Sequence, residues 1–182
     1  MTTHPETLIR PSGPNDVAAM AEIYRAHVLR GSGTFEIDPP TVDEFARRRT
    51  DVVSRGWPWL VAQLRGQVKG FAYAAPFRPR PAYRYCLEDS IYVAEDCVGR
   101  GLGRLLLAEL LALCESRGAR QMLAVIGDSG NQASIALHAS LGFEPAGAIH
   151  AAGWKFDRWL DVVLMQKALG PGSSRPALAS GP

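Results

Sequence analysis

Gly99-Arg100-Gly101-Leu102-Gly103 lies between a strand-forming run and an amphipathic helix. At such a junction the first helical N–H groups have no partner inside the helix, and the positive end of the macrodipole faces outward. Glycines let the backbone approach an anion closely, so the run can cradle a pyrophosphate or simply turn the chain tightly. It is neither G-x-G-x-x-G nor a Walker loop, since Arg104 follows Gly103. Glu88 stands in a strand otherwise built from Leu87, Ile91 and Val93. A carboxylate there either points into a cleft, where desolvation raises its pKa toward a useful base, or pairs with Arg84. Arg78 and Arg80, flanked by Phe77 and Tyr83, offer a basic-aromatic loop. It reads as an anion fork or as a solvated turn.

These residues need elements to hold them. Leu8–Pro11 reads as an edge strand, and Asn15-Asp16 caps a helix with Val17, Met20, Ile23, Tyr24 and His27 at helical spacing, closed by Gly31 and Gly33. Thr41-Val-Asp-Glu44 is a capping box opening a second helix to about Arg55. Trp59–Leu64 and Val68–Ala75 form a hairpin through Arg65-Gly66-Gln67. Two prolines keep 77–83 out of a helix, and Arg84–Ala94 reads as a long strand. A helix over Gly103–Gly118, a strand over Met122–Ile126, a helix over Asn131–Leu141 and strands over Pro145–Ala152 and Trp159–Lys167 complete the order. Antiparallel strands first and βα units later predict a mixed α/β sheet. Residues 1–169 read as one domain, and 170–182, rich in Gly, Pro, Ser and Ala, as a disordered tail.

Composition narrows the classes. With 47% hydrophobic and 21% charged residues, the chain reads as a soluble globular protein. A net charge of +2, from 20 Lys+Arg against 18 Asp+Glu, disfavours a dedicated nucleic-acid binder. No apolar run reaches the ~20 residues of a membrane span, and Met1–Thr7 lacks an apolar signal core. Cys86, Cys97 and Cys114 form no disulfide framework and no metal spacing, so a reducing cytoplasm is expected and no metal site. Cys114 reads as core and Cys97 as a loop residue; His4, His27 and His150 carry no evident chemistry.

Ile91-Tyr92-Val93, a short loop and Arg100-Gly-Leu-Gly103 opening a helix resemble the acetyl-CoA motif of the GNAT N-acetyltransferases. Asn131-x-x-Ser134 and Leu141-Gly-Phe143 resemble its second half. The likeness narrows to the phosphinothricin and methionine sulfoximine acetyltransferases through Thr34-Phe-Glu36, Phe77–Tyr83, Glu88–Val93, Ala124–Gly127, His138, Ala152-Gly-Trp-Lys155 and Trp159-x-Asp-Val162. Val98 departs from the motif, whose first position is Gln or Arg; its main-chain N–H still serves, and Arg100 or Arg104 could compensate.

The resemblance implies a GNAT fold, with a mostly antiparallel central sheet and flanking helices. It implies acetyl transfer from acetyl-CoA to the α-amine of a small amino-acid-like acceptor, by direct attack in a ternary complex. Glu88 takes the general-base position, since an α-amino group (pKa roughly 7.7–8.0) must lose a proton first. His138 takes the place of the residue that protonates the leaving thiolate, or is packed between helix and sheet. Backbone groups of Tyr92 and Val93 face the thioester oxygen. Val98, Gly99, Arg100, Gly101, Leu102, Gly103, Arg104, Asn131 and Ser134 form the donor site. Arg78, Arg80 and Tyr83 hold the acceptor's anion with Lys155, and Phe35 and Trp59 wall its side chain. A homodimer is implied as well. Peptide or protein N-terminal acetylation, and CoA sensing without turnover, remain as alternatives.

Overall fold

The computed structural model describes residues 7–177. Its elements in chain order are β1 (Thr7–Pro11), α1 (Val17–Arg30), α2 (Val42–Ser54), β2 (Trp59–Leu64), β3 (Gln67–Pro76), β4 (Cys86–Val93), α3 (Leu102–Ser116), β5 (Gln121–Gly127), α4 (Gln132–Ala139), β6 (Glu144–Lys155) and β7 (Arg158–Ala168). The strands form one sheet in the order β1-β2-β3-β4-β5-β7-β6. Every neighbouring pair is antiparallel except β4 and β5.

Strand alternation assigns the two faces. On β4, Tyr92 packs edge-on against Tyr24 of α1 at 4.9 Å. A Cβ placed on Gly103 of α3 would lie 3.8 Å from the side chains of Ile91 and Val93. Thus α1 and α2 cover one face, and α3 and α4 the other. Leu106, Leu107 and Leu110 of α3 are fully buried, each contributing roughly 1.5–3 kcal/mol by leaving water. Trp59 stacks on Phe71 and Tyr73, and both Trp59 and Phe71 meet Phe45 of α2 edge-on.

Local chemistry sets the helix starts. Thr41 accepts from the Glu44 N–H at 3.2 Å, as the capping pattern requires. Asp16 makes no cap hydrogen bond. Its carboxylate is instead gripped by both Nη atoms of Arg10 at 2.7 Å and by the Gly13 N–H at 2.6 Å.

The start of β4 and the place of Cys97 are corrected. β4 begins at Cys86 because the 3-10 turn Pro81–Tyr83 continues through a helical Arg84. Cys97 is 2% exposed, since a 3-10 turn over Glu95–Cys97 tucks it inward. The described part of the C-terminal segment is turned: Gly172 N–H bonds Leu169 O, Ser174 N–H bonds Pro171 O, and Arg120 donates to the carbonyls of Arg175 and Pro176. Residues 178–182, and His4, lie outside the described residues.

Candidate active site

β4 and β5 pair only from Cys86–Gln121 to Asp89–Ala124. Beyond that rung the two strands part. A cavity of about 1340 Å³ opens between them and is lined from both faces of the sheet. The glycine loop, Asn131, Ser134 and His138 line it on the α3/α4 side; Phe35, Tyr73, Glu88 and Ser90 line it on the α1/α2 side. The fork is therefore a passage through the sheet.

On the α3/α4 side the backbone fits a pyrophosphate. Gly99 and Gly101 have φ of 78° and 80°, left-handed values that favour glycine. The first bond inside α3 runs from Leu105 N–H to Gly101 O, which leaves the N–H groups of Leu102, Gly103 and Arg104 without helical partners. A Cβ on Gly103 would lie 3.3 Å from the Leu137 side chain, so glycine lets Leu137 of α4 pack close against the start of α3. Val98 is exposed, Arg100 is exposed, and the Arg104 guanidinium donates to Ser140. Asn131 caps α4, accepting the Ser134 N–H at 3.2 Å. Tyr92 and Val93 lie along the open edge of β4. The Val93 carbonyl accepts from His27 Nε2 at 2.9 Å, a link the sequence did not announce.

On the other side Glu88 faces the cavity. Burial lifts its pKa above the ordinary value; the neighbouring Asp89 charge adds to the rise, and Arg78 opposes it. Asp89 itself projects to the α3/α4 face and meets His138, with Nε2 to Oδ2 at 3.0 Å. Burial pulls the His138 pKa down, but the hydrogen bond and charge of Asp89, with the Ser134 carbonyl, outweigh it and the net direction is up.

The 31–35 segment forms one wall of the cavity. A Cβ on Gly127 would come 2.2 Å from the Ser32 carbonyl, and one on Gly153 would come 2.5 Å from the Phe35 ring. Glycine at both sites lets β5 and β6 press directly on this segment. Lys155 Nζ, buried at the end of β6, donates to Gly31 O at 2.9 Å and to Thr34 O at 2.8 Å. Burial lowers its pKa.

Lys155, expected at the substrate, is thus engaged by backbone carbonyls and lies outside the cavity lining. Trp59, expected as a pocket wall, is 3% exposed and stacked on Tyr73 at 4.0 Å, within the core behind the cavity. Arg78, Arg80 and Tyr83 occupy an exposed loop outside the lining, with Tyr83 packed on Phe77 and Arg78 over the Phe77 ring at 5.0 Å. Among the described residues no group of three His, Cys, Asp or Glu is placed to hold a metal ion. No described helix is long and apolar enough to cross a membrane.

Comparison with known proteins agrees with this geometry. The chain is 46% identical over 166 residues to a phosphinothricin N-acetyltransferase of Alcaligenes faecalis, covering 91% of this chain and 84% of that one. It is 40% identical over 172 residues to an L-methionine sulfoximine/L-methionine sulfone acetyltransferase of Pseudomonas aeruginosa, covering 92% and 98%. Among solved structures, a GNAT superfamily phosphinothricin acetyltransferase from Sinorhizobium meliloti in complex with AcCoA superposes with a TM-score of 0.93 at 42% identity, covering 97% of this chain and 95% of that one. Residues 15–143 match the profile of the acetyltransferase (GNAT) family, and the chain belongs to that family.

Proposed function

We propose that this chain transfers the acetyl group of acetyl-CoA to the α-amine of a small amino-acid-like acceptor of the phosphinothricin and methionine sulfoximine type. The observation that carries this reading is the passage through the sheet, with the glycine cradle at one mouth and the Glu88 carboxylate at the other. The named activities of its relatives support the acceptor class. Acetyl-CoA supplies an electrophilic thioester carbonyl. The N–H groups at the start of α3 hold its pyrophosphate, and Asn131 and the open edge of β4 orient its arm toward the fork. Glu88, with its pKa raised by burial, takes the proton from the attacking amine. Glu88 shares one continuous cavity with the glycine cradle, which supports the two substrates meeting at the fork and reacting directly.

The Arg78 charge is felt at Glu88, and we assign the acceptor's carboxylate to the loop of Arg78, Arg80 and Tyr83. We read residues 1–169 as the catalytic domain, working as a homodimer. β6 is exposed along most of its length, and Ile149, Trp154, Phe156 and Trp159 leave an apolar surface on that hairpin. Three free cysteines suit a reducing cytoplasm.

The test is thiol release from acetyl-CoA with phosphinothricin, methionine sulfoximine, methionine sulfone, common L-amino acids, polyamines and short peptides. Selective turnover of the methionine-like acceptors is expected. Preference for peptides, or CoA binding without any turnover, overturns the reading.

A further inference from the structure

The Asp89–His138 pair lies at the last paired rung of β4 and β5, where the fork begins. Both side chains are buried, at 6% and 2% exposure. The shortest contact of each ring nitrogen of His138 is to an oxygen that can only accept; the Ser134 hydroxyl, which could donate, lies farther from Nδ1 at 3.4 Å. Nδ1 is 2.7 Å from the Ser134 carbonyl, and Nε2 is 3.0 Å from Asp89 Oδ2. A neutral imidazole carries one N–H, so one of these contacts would set a lone pair against an oxygen. An imidazolium satisfies both. The second carboxylate oxygen, Asp89 Oδ1, is buried with no hydrogen-bond partner, so compensation of the Asp89 charge falls on the ring.

Resting on the acetyl-transfer reading for its catalytic meaning, we propose that His138 is a fixed imidazolium held by Asp89 as its positioning residue. It acts as a positive strut under the fork and not as a proton donor. The neighbours leave this charge uncontested. Phe143 stands perpendicular to the ring at 5.0 Å, and β5 presents the buried Met122 and Ala124 on this face. The α3 thiol of Cys114 is pushed up to about 12 by burial and stays neutral. Glu88 projects from the opposite face of β4.

The group transfer balances without a proton from His138. The acceptor ammonium first gives one proton through Glu88 to solvent; the neutral nitrogen then forms the C–N bond, its second proton passes to Glu88, and the C–S bond breaks to release CoA as a thiolate. The imidazolium faces the developing negative charge and keeps its protons, because giving one up would leave a buried carboxylate or carbonyl facing a lone pair.

Nitrogen-15 correlation spectra of the imidazole rings in the wild-type protein read the state directly, with His138→Gln identifying the peak. The ring is expected to stay doubly protonated above its unperturbed midpoint of ~6.5. A ring that titrates at or below that midpoint overturns the proposal, whatever the enzyme's acceptor. Kinetics give the second arm. His138→Gln and Asp89→Asn are each expected to lower kcat by about 100-fold, with the double variant no worse than the poorer single. The basic limb of the kcat profile is expected to match in wild type and His138→Gln; its disappearance in the variant identifies a general acid and refutes the strut. Absence of wild-type turnover would refute the acetyl-transfer reading and leave the spectra to decide the charge.

Discussion

Lys155→Met removes an ammonium and keeps the length of the side chain. Two carbonyls, Gly31 O and Thr34 O, lose donors at 2.9 and 2.8 Å. Each buried acceptor left unsatisfied costs about 1–3 kcal/mol. Methionine is not penalised by burial as the ammonium is, which offsets part of the loss and leaves about 2–4 kcal/mol. This loss is local. The 31–35 segment remains pressed between Gly127 and Gly153, so the sheet and α3 are expected to fold as before. The acceptor wall loosens, and the KM for the amino acid is expected to rise at least about tenfold, the equivalent of 1.4 kcal/mol. The KM for acetyl-CoA is expected to stay within about twofold, because the glycine cradle lies across the sheet. Steady-state thiol release with each substrate varied in turn, and urea unfolding alongside, measure both. An unchanged acceptor KM, or an equal rise for acetyl-CoA, refutes the reasoning. So does a penalty that vanishes for the acceptor's carboxamide, which would reveal direct ammonium–carboxylate contact.

Glu88→Gln is expected to lower kcat by about 10²–10⁴ while acetyl-CoA binding persists. Wild-type activity should climb with pH through a midpoint above 4.5, the direction in which burial moves Glu88, and the pH–rate profile of the variant should lack that limb. Gly101→Ala meets open space but requires φ near 80°. It should cost about 1–2 kcal/mol and raise the KM for acetyl-CoA and not for the acceptor. The Arg10 hydrogen bond holds the Asp16 carboxyl below its ordinary value of 3.8, against burial. That stabilisation is fully present above the unfolded pKa and is lost as pH falls through the folded one. Asp16→Asn should therefore lower Tm at pH 7 by an amount that shrinks below pH ~4, as calorimetry across pH would show.

Local pattern made much of the fold readable. The Thr41–Glu44 box placed α2, and the leucine spacing after Gly103 placed α3. Glu88 and the glycine run stood out because their residue types are costly or conformationally special where they occur. What escaped was contact across long stretches of chain. Asp89 and His138 are 49 positions apart, and Lys155 and Gly31 are 124 apart. Alternation put Asp89 on the face away from Glu88 but could not say what waited there. Lys155 and Trp59 are expected at the site from the family resemblance. Their hydrogen bonds and stacking show them supporting the wall and the core behind it. Parting of β4 from β5 beyond the Asp89–Ala124 rung has no signature in either strand's composition.

The fork also separates two selective pressures. The donor mouth is built from 98–104 and 131–138, the acceptor mouth largely from 31–35, 73 and 88–90. On the proposed reading, substitutions at one mouth are expected to act chiefly on one substrate's affinity. A lineage holding this scaffold can thus trade one amine for another through the acceptor segments, with the machinery for CoA carried along intact.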